Sequence, residues 1–446
     1  MIVSIIVVLV MLGIIVTIHE LGHFWVAKLL KIKAYEVSIF VGPILASWKR
    51  KGVDYSIRAI PLGAYVRFSD FDENGDVIVS DDPQLLINQP RWKRFLVAIA
   101  GPVMNAILGV VLFTILYSCI SFTSLDVFEA PVDSQLYATE YNPGDRIYKI
   151  NGHRVWNYID MYFEIEKGSY QEDDMIVTFK ASDTGELYDV TLVPELKTRP
   201  MMGIKYYRDT DNKYNGWEII SVMPEQNGGH PVLKEGDYLT EINGVSVEEA
   251  LDNPSFTDMH DGDNMTLTYI RNGEEFTADC VTTTMTYAND RGLNPTYKKV
   301  GSFADFLEAF GYAAKMPISV ANVSVKSIAS VFDGREKVYN MVSGPVGVTT
   351  AVSDVVQDVD QTTSFKLVNL LNLSAMISIA LTFSNLLPIP GLDGIQIILL
   401  FVEMILGRPI SKKAENVITV LGFILIVLLV IFAFTSDIVR IFAGGM

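Results

Sequence analysis

The chain has 446 residues, half of them apolar, and a formal net charge of −17. This composition is too apolar for an ordinary soluble domain and too charged for a compact transporter, so it indicates a few membrane spans joined to a soluble portion. Residues 123–367 hold 20 basic and 39 acidic side chains. This acidic balance argues against nucleic acid as a partner, because phosphate binding needs a basic surface. The two cysteines lie in different regions and do not make a disulfide framework.

Four stretches are long and apolar enough to cross a bilayer, which takes about 20 helical residues. The predicted membrane elements are 1–30, 95–122, 367–406 and 416–435. The first lacks the basic n-region and the small-residue cleavage site of a signal peptide, so it is expected to remain as a span. The third is interrupted by Pro388, Pro390, Gly391 and Asp393, which predicts a broken helix.

His19, Glu20 and His23 form a His-Glu-x-x-His motif inside the first span. Positions i and i+4 share one face of a helix, so both imidazoles can bind one metal ion, and zinc suits such nitrogen ligands. Glu20 can then remove a proton from a zinc-bound water and pass it to the leaving amine. Ionisable residues inside a span are costly and therefore predict a function. The alternative is a hydrogen-bonded polar cluster that packs helices together.

The predicted loop 31–94 carries basic residues at both ends and contains an alternating segment, 54–68. Alternation predicts a β-strand, whose edge can pair with an unwound substrate as in β-augmentation; the alternative is a soluble cytoplasmic hairpin. Further basic residues lie between the third and fourth spans, on the same side as this loop. The positive-inside rule makes that side cytoplasmic, and both termini and residues 123–367 are then extracytoplasmic.

The outer region contains an internal repeat, because residues 142–152 and 234–244 share the pattern Gly-Asp-x-(Ile/Leu)-x-x-Ile-Asn-Gly. A pair of alternating strands follows each copy, which predicts two domain-sized β-rich units, 123–208 and 209–286. The pattern resembles PDZ domains, which bind extended peptides at a sheet edge; the alternative is ordinary hairpins. Residues 287–366 are expected to form an amphipathic juxtamembrane segment, or else a soluble helix against the second repeat.

A catalytic zinc ion usually has three protein ligands and an open position. The remaining histidines lie in the outer region, so the third ligand is sought in another span, where Asp393 is the deep carboxylate. Broken backbone at membrane depth is tolerated only where it is buried in protein or lines a wet cavity, and a metal site is such a place. The alternative for Asp393, taken alone, is a carboxylate at a helix terminus.

The His-Glu-x-x-His motif, together with Asn385-Leu-Leu-Pro-Ile-Pro-Gly-Leu-Asp-Gly394, resembles the site-2 protease family of zinc intramembrane proteases. Residues 55–66 resemble the family's membrane-reentrant β-loop, and Gly101-Pro-Val-Met-Asn105 resembles its second-span motif. The paired PDZ-like regions resemble the bacterial regulator-of-sigma-E protease subgroup. The likeness covers most of the chain.

The resemblance implies one zinc ion per chain, general-base catalysis, and an asparagine that binds substrate or stabilises the oxyanion. The implied zinc ligands are His19, His23 and Asp393, the base is Glu20, and the asparagine is Asn385. Substrate-binding residues are expected in the β-loop, at Tyr55, Ile57, Ile60, Gly63 and Tyr65.

The predicted fold is a polytopic α-helical membrane protein with four transmembrane helices, a membrane-associated β-hairpin and two extracytoplasmic β-rich PDZ-like domains. The predicted function is zinc-dependent intramembrane proteolysis in the bacterial cytoplasmic membrane. Its substrates would be single-span membrane proteins, such as anti-sigma factors or signal-peptide remnants, which the PDZ-like pair would filter by size or bind by a peptide end. The alternatives are a membrane metal transporter, which does not need Glu20 as a base, and a non-catalytic PDZ scaffold.

Overall fold

The structure is a computed structural model that describes most of the chain in two compact units. The described residues are 2–69, 81–127, 130, 132, 134–169, 174–193, 196–207, 214, 216–223, 226–250, 259–271, 273–288, 291–332, 345–357, 362–389 and 391–442. One unit comprises Met1–Leu125, Val155–Phe163 and Thr296–Thr435, and the other comprises Asp126–Arg154, Glu164–Pro295 and Ser436–Met446.

The described α-helices lie mostly in the first unit, with Val247–Ala250 in the second. They are α1 (Ile2–Leu29), α2 (Arg91–Cys119), α3 (Tyr158–Ser169), α4 (Val247–Ala250), α5 (Phe303–Phe332), α6 (Pro345–Gln357), α7 (Thr363–Leu386), α8 (Asp393–Leu406) and α9 (Lys412–Phe442). Among the described residues, three stretches are long and apolar enough to cross a membrane: Val3–Leu29, Arg91–Cys119 and Thr363–Leu386. A shorter apolar stretch, Val420–Ala433, lies in α9, so the fourth span stays a prediction. The predicted juxtamembrane segment 287–366 contains α5 and α6, but its residues 289–290, 333–344 and 358–361 lie outside the described part.

The first two strands form a hairpin in the first unit, and most of the other strands belong to the second unit. In chain order they are β1 (Glu36–Arg50), β2 (Val53–Arg67), β3 (Phe122–Val127), β4 (Arg146–Ile150), β5 (His153–Arg154), β6 (Met175–Lys180), β7 (Leu187–Leu192), β8 (Leu196–Met201), β9 (Ile204–Tyr207), β10 (Trp217–Val222), β11 (Tyr238–Ile242), β12 (Val245–Ser246), β13 (Asn264–Arg271), β14 (Glu274–Val281), β15 (Thr283–Ala288) and β16 (Pro295–Lys298).

Helix α2 is the centre of the first unit, since α1, α5, α7 and α8 all pack against it. Small residues bring the backbones close. A Cβ at Gly22 of α1 would meet the carbonyl of Ala100 in α2, and a Cβ at Gly109 of α2 would overlap Ile379 of α7. Close approach of this kind holds helices together in a membrane, where burial from water does not drive their association.

The β1–β2 hairpin folds back on itself and makes three runs of pairing, of which the run between 36–39 and 54–57 is parallel in register and the other two are antiparallel. Residues 36–39 of β1 pair with 64–67 on one side and with 54–57 on the other, and 54–57 also pair with the end of β1 around Trp48. The segment 54–57 is therefore interior. Among the described residues, the open edges of this small sheet are 64–67 and the end of β1.

Two bends and one tight turn give the hairpin this shape. Phe40 and Gly42 have positive φ angles of 66° and 87°, and Gly63 has a φ of 100°. Lys51 and Gly52, with φ of 48° and 80°, close the turn between the strands, as the two-residue turns of antiparallel hairpins require. The sequence predicted a strand over 54–68, but it did not predict β1, its partner.

The predicted third span, 367–406, is two helices, because α7 ends at Leu386 and α8 begins at Asp393. Pro390, in the break, lies outside the described residues. A Cβ at Gly394 would overlap backbone atoms at the end of α7, so glycine is needed for the two helices to approach. The break leaves Asp393 in the first turn of α8, where the helix dipole favours a carboxylate.

The second unit repeats one strand arrangement. In the first copy β4 pairs with β5 and β6, and β6 with β7; in the second, β11 pairs with β12 and β13, and β13 with β14. Asn151 and Asn243 occupy equivalent left-handed positions, with φ of 49° and 54°. Each accepts a backbone hydrogen bond through Oδ1, from Ile176 at 2.9 Å and from Thr266 at 2.8 Å. The sequence repeat is therefore also a structural repeat, and its PDZ character stays a prediction.

Candidate metal and catalytic site

His19 and His23 lie one turn apart on the buried face of α1, with 6% and 8% of their surfaces exposed. The two rings are nearly perpendicular, and their Nε2 atoms are 3.2 Å apart. The spacing of four residues on a helix thus brings two imidazole nitrogens to one point.

Asp393, from the first turn of α8, meets both imidazoles. Its Oδ2 lies 2.9 Å from Nε2 of His19 and 3.4 Å from Nε2 of His23. Ligand atoms held about 2.0–2.2 Å from one tetrahedral zinc ion are about 3.3–3.6 Å apart, and the separations here, from 2.9 to 3.4 Å, are close to this range or a few tenths of an ångström shorter. The three side chains, which form one cluster among the described residues, therefore have the donor chemistry of a zinc site and nearly its spacing.

His23 is oriented by helix α2. Its Nδ1–H donates to the carbonyl oxygen of Val97 at 2.7 Å. A neutral imidazole carries one N–H, so this bond leaves the lone pair of Nε2 facing His19 and Asp393. A backbone carbonyl on the second ring nitrogen is a common support of metal-binding histidines.

His19 is oriented by two amides, one from α2 and one from α7. Its Nδ1 lies 3.3 Å from Nδ2 of Asn105 and 3.4 Å from Nδ2 of Asn385. The oxygen and nitrogen of an amide exchange places by a half rotation, and Oδ1 of Asn105 has no hydrogen-bond partner among the described residues. The rotated amide accepts a hydrogen bond from Nδ1–H of His19, which leaves Nε2 free to bind a metal ion.

Gly101 of α2 closes the site on a third side. A Cβ at this position would overlap Nε2 of both His19 and His23. The metal-facing nitrogens therefore have room only because residue 101 has no side chain.

Glu20 lies beside the histidines on the wall of a cavity of about 750 Å³, which His23, Val66 and Asp393 also line. The backbone of Val66 hydrogen-bonds to the Glu20 carboxylate. Val66 belongs to the open edge 64–67, and the neighbouring Arg67 accepts a hydrogen bond from Tyr35 on the opposite side, toward β1. Because backbone groups alternate in direction along a strand, Ala64 and Val66 present theirs away from β1, and Val66 lines the cavity.

The five expected substrate-binding residues do not lie together. Tyr65 is on the 64–67 edge, Gly63 directly precedes that edge, and Ile60 lies at the far bend with 41% of its surface exposed. Tyr55 and Ile57 are on the interior segment, paired on both sides. Their backbones therefore have no free side for a further strand, and the substrate-binding roles of the five residues stay predictions.

Sequence reasoning gave no site role to three residues of α2: Val97, Gly101 and Asn105. The sequence shows the resemblance of residues 101–105 to the family's second-span motif, and Asn105 is a polar residue in an uncharged span. Val97 acts through its backbone and Gly101 through the absence of a side chain, so neither leaves a signal of polarity.

An apolar helix that carries His-Glu-x-x-His, completed by a carboxylate from a second helix, defines the class of zinc metalloendopeptidase with its site in a membrane protein. The pattern of peptidase family M50 matches residues 7–429. The chain belongs to this family, the site-2 proteases, and is a zinc-dependent membrane metalloendopeptidase.

Several curated relatives match over nearly their whole length. Zinc metalloprotease RasP of Bacillus licheniformis is 25% identical over 443 residues, which cover 96% of this chain and 97% of the relative. Regulator of sigma E protease of Haemophilus influenzae is 23% identical, with coverage of 96% and 97%. Protease RseP of Yersinia pestis is 24% identical, with coverage of 97% and 98%.

Proposed function

We propose that this chain is an intramembrane endopeptidase that cleaves the transmembrane segments of other membrane proteins. The observation that carries the proposal is the position of the converging donors. His19 and His23 lie within the apolar stretch Val3–Leu29. Asp393 begins α8, directly after the non-helical segment that follows the apolar helix α7. Ionisable groups in such places are costly unless they serve a site, so hydrolysis is expected at membrane depth.

In this proposal His19, His23 and Asp393 hold the zinc ion. Zinc, when bound, acts as a Lewis acid and lowers the pKa of water to about 7. Glu20 accepts the proton of the attacking water and donates it to the leaving amine nitrogen. Asn385, on the α7 side of the site, donates to the oxyanion of the scissile carbonyl.

A helical substrate must unwind before it is cut, because every amide of a membrane helix is hydrogen-bonded within the helix. The backbone N–H and carbonyl of Ala64 and the carbonyl of Val66, which face away from β1, accept the unwound segment as an added strand. This pairing holds the scissile bond beside Glu20, which already contacts Val66.

The proposed topology has four spans, with both termini and the structural repeat outside the cytoplasm. The basic residues of the loop before α2, and those between the third and fourth predicted spans, support this orientation. The two repeat units, as PDZ-like domains, exclude substrates that still carry a bulky outer domain, or bind a free peptide end. The location is the cytoplasmic membrane of a bacterium.

The proposed substrates are single-span membrane proteins that have already lost most of their outer domain. Anti-sigma factors and signal-peptide remnants have this form. One relative is a regulator of sigma E protease by name, which supports the first of these two classes.

The proposal is tested with purified protein in liposomes and a single-span substrate that has a short outer tail. Wild type, Glu20→Gln and the control Glu186→Gln, an exposed site in the second unit, are compared for bound zinc and for cleavage by mass spectrometry. Zinc in all three, with cleavage abolished only in Glu20→Gln, is the expected result. Equal cleavage by Glu20→Gln contradicts the general base. Zinc in all three with no cleavage by any favours the metal transporter.

A further inference from the structure

A second cavity, of about 880 Å³, lies in the first unit between the end of α1 and the β1–β2 hairpin. It shares no lining residue with the cavity beside Glu20. Its cationic lining residues are Lys28, Lys31, Lys33, Arg50 and Lys51. Within the part of the chain that the structure describes, no acidic residue lines it.

Most of these cations lack a carboxylate partner. Lys33 lies 3.8 Å from Asp82, but Lys28, Lys31, Arg50 and Lys51 form no ion pair with any residue that the structure describes. The next lysine along β1, Lys49, lies outside the lining and pairs with Asp54 at 3.3 Å. Four uncompensated positive charges around one cavity raise its potential and attract an anion.

The α1 wall of the cavity changes character along the helix. Leu21, Trp25 and Lys28 follow the spacing i, i+4, i+7 and so share one face. They cover about 10 Å of helix length and run from an aliphatic group through an indole to an ammonium group. A phospholipid has the same order, from acyl chain through the glycerol region to phosphate. Trp and Lys occupy these depths at membrane surfaces.

The hairpin wall provides a second aromatic surface. Trp48 stacks on Tyr55 with ring centroids 5.7 Å apart, and Trp25 and Trp48 remain 47% and 48% exposed. Two half-exposed indoles therefore line the same cavity as the cations. A free phosphate ion satisfies the cations but leaves this apolar wall uncovered, whereas a lipid covers both. An acidic peptide does not explain why the wall continues onto an apolar membrane helix.

We propose that this cavity binds the head group of an anionic phospholipid. The phosphate lies among Lys28, Lys31, Arg50 and Lys51, and the first carbons of the acyl chains lie against Trp25 and Leu21. A zwitterionic lipid is a poorer ligand, because its cationic head group meets the same positive charges. The inference does not depend on proteolysis, since the cavity is separate from the zinc site.

The test uses the full chain in detergent, titrated with phosphatidylglycerol or phosphatidylcholine of equal chain length and followed by native mass spectrometry. Phosphatidylglycerol is expected to bind at least tenfold more tightly than phosphatidylcholine. The double variant Lys28→Gln/Arg50→Gln is expected to lose roughly tenfold or more in phosphatidylglycerol affinity. The control Lys49→Gln/Lys93→Gln removes the same charge from one strand and one helix outside the cavity, and is expected to stay within about twofold.

Several results would overturn the proposal. Equal affinity of the wild type for the two lipids contradicts the proposal, and this result does not depend on whether the variants fold. An equal loss in both double variants shows general surface attraction in place of a site. Competition by inorganic phosphate, at concentrations that displace the lipid one for one, shows an anion site that does not recognise lipid. Tighter binding of an acidic peptide than of phosphatidylglycerol shows a protein-docking site.

Discussion

Gly101 lies so close to the His23 imidazole that a Cβ on Gly101 would overlap Nε2 of that ring, and it would overlap Nε2 of His19 as well. The two nitrogens that face the proposed metal position thus depend on a missing side chain in α2. The His23 ring cannot move aside easily, because its Nδ1–H donates to the carbonyl of Val97, which lies in α2 with Gly101.

The substitution Gly101→Ala is expected to displace both imidazoles and to lower zinc affinity by more than tenfold. Losses of about 10- to 100-fold are typical when only a supporting group is removed, and here the ligands themselves must shift. Equilibrium dialysis with zinc, followed by the cleavage assay, measures the effect.

The matched control is Gly311→Ala in α5, where an added Cβ meets nothing within 4 Å. Alanine is the better helix former by roughly 1 kcal/mol, so this variant should keep its zinc and be slightly more stable. Full zinc affinity and activity in Gly101→Ala would show that the site is looser than the contacts with His19 and His23 indicate.

Asn105 and Asn385 both contact Nδ1 of His19, but replacing each by alanine is expected to have a different effect on zinc binding and on kcat. Asn105 is buried in α2 with 1% of its surface exposed, so Asn105→Ala should weaken zinc binding by about 10- to 100-fold. Asn385→Ala should keep zinc within a few-fold and lower kcat by about 100-fold, as expected for an oxyanion donor.

Zinc content and kcat measured together separate the two roles, with Asn372→Ala on α7 as the control that changes neither. Equal loss of zinc in Asn105→Ala and Asn385→Ala would make Asn385 a second support of His19 and remove its assignment to the oxyanion.

The metal-binding cluster could be predicted from the sequence because two local rules act on it. The i, i+4 spacing fixes the relation of His19 to His23 on any helix. Asp393 was found by elimination, as an ionisable residue in a broken apolar stretch. Both rules work without knowledge of which helices touch, and the structure brings the three residues together.

The supporting shell and the sheet could not be predicted in the same way. The partner strand β1 is set by pairing with two separate parts of β2 through bends at Phe40 and Gly63, and alternation within one segment does not show this folding back. Tyr55 was therefore expected at an edge and lies on an interior strand. Gly101 acts by close approach between helices, which depends on tertiary packing alone.

The thiol of Cys280 gives a pH-dependent test of the second repeat. Cys280 is fully buried in a core that includes Trp217 and Leu267, and burial raises the pKa of its thiol to about 11. In the unfolded chain the thiol pKa is about 8.5. Between these two values the folded state holds a proton that the unfolded state has lost, so stability falls as the pH rises through this range.

The free energy of unfolding of the second repeat is therefore expected to fall more steeply in the wild type than in Cys280→Ala between about pH 8.5 and 11. Urea titrations followed by Trp217 fluorescence measure the difference between the two slopes. Parallel pH profiles would mean that the thiol ionises as easily in the folded state. At pH 8 the folded Cys280 should also resist alkylation, while the exposed Cys119 reacts.

The backbone of Ala64 provides the sharpest test of how a substrate is held. Its N–H is expected to face the cavity, because Val66, two residues along the strand, faces Glu20. Ala64→Pro removes this donor without touching a zinc ligand. Loss of one hydrogen bond worth about 1 kcal/mol lowers kcat/KM by about five- to tenfold, and zinc binding should be unchanged. The control is Ala59→Pro, at an exposed position with no β1 partner among the described residues. If both variants cleave a single-span substrate equally, the 64–67 edge does not receive the substrate, and the unwound segment must be held by side chains alone.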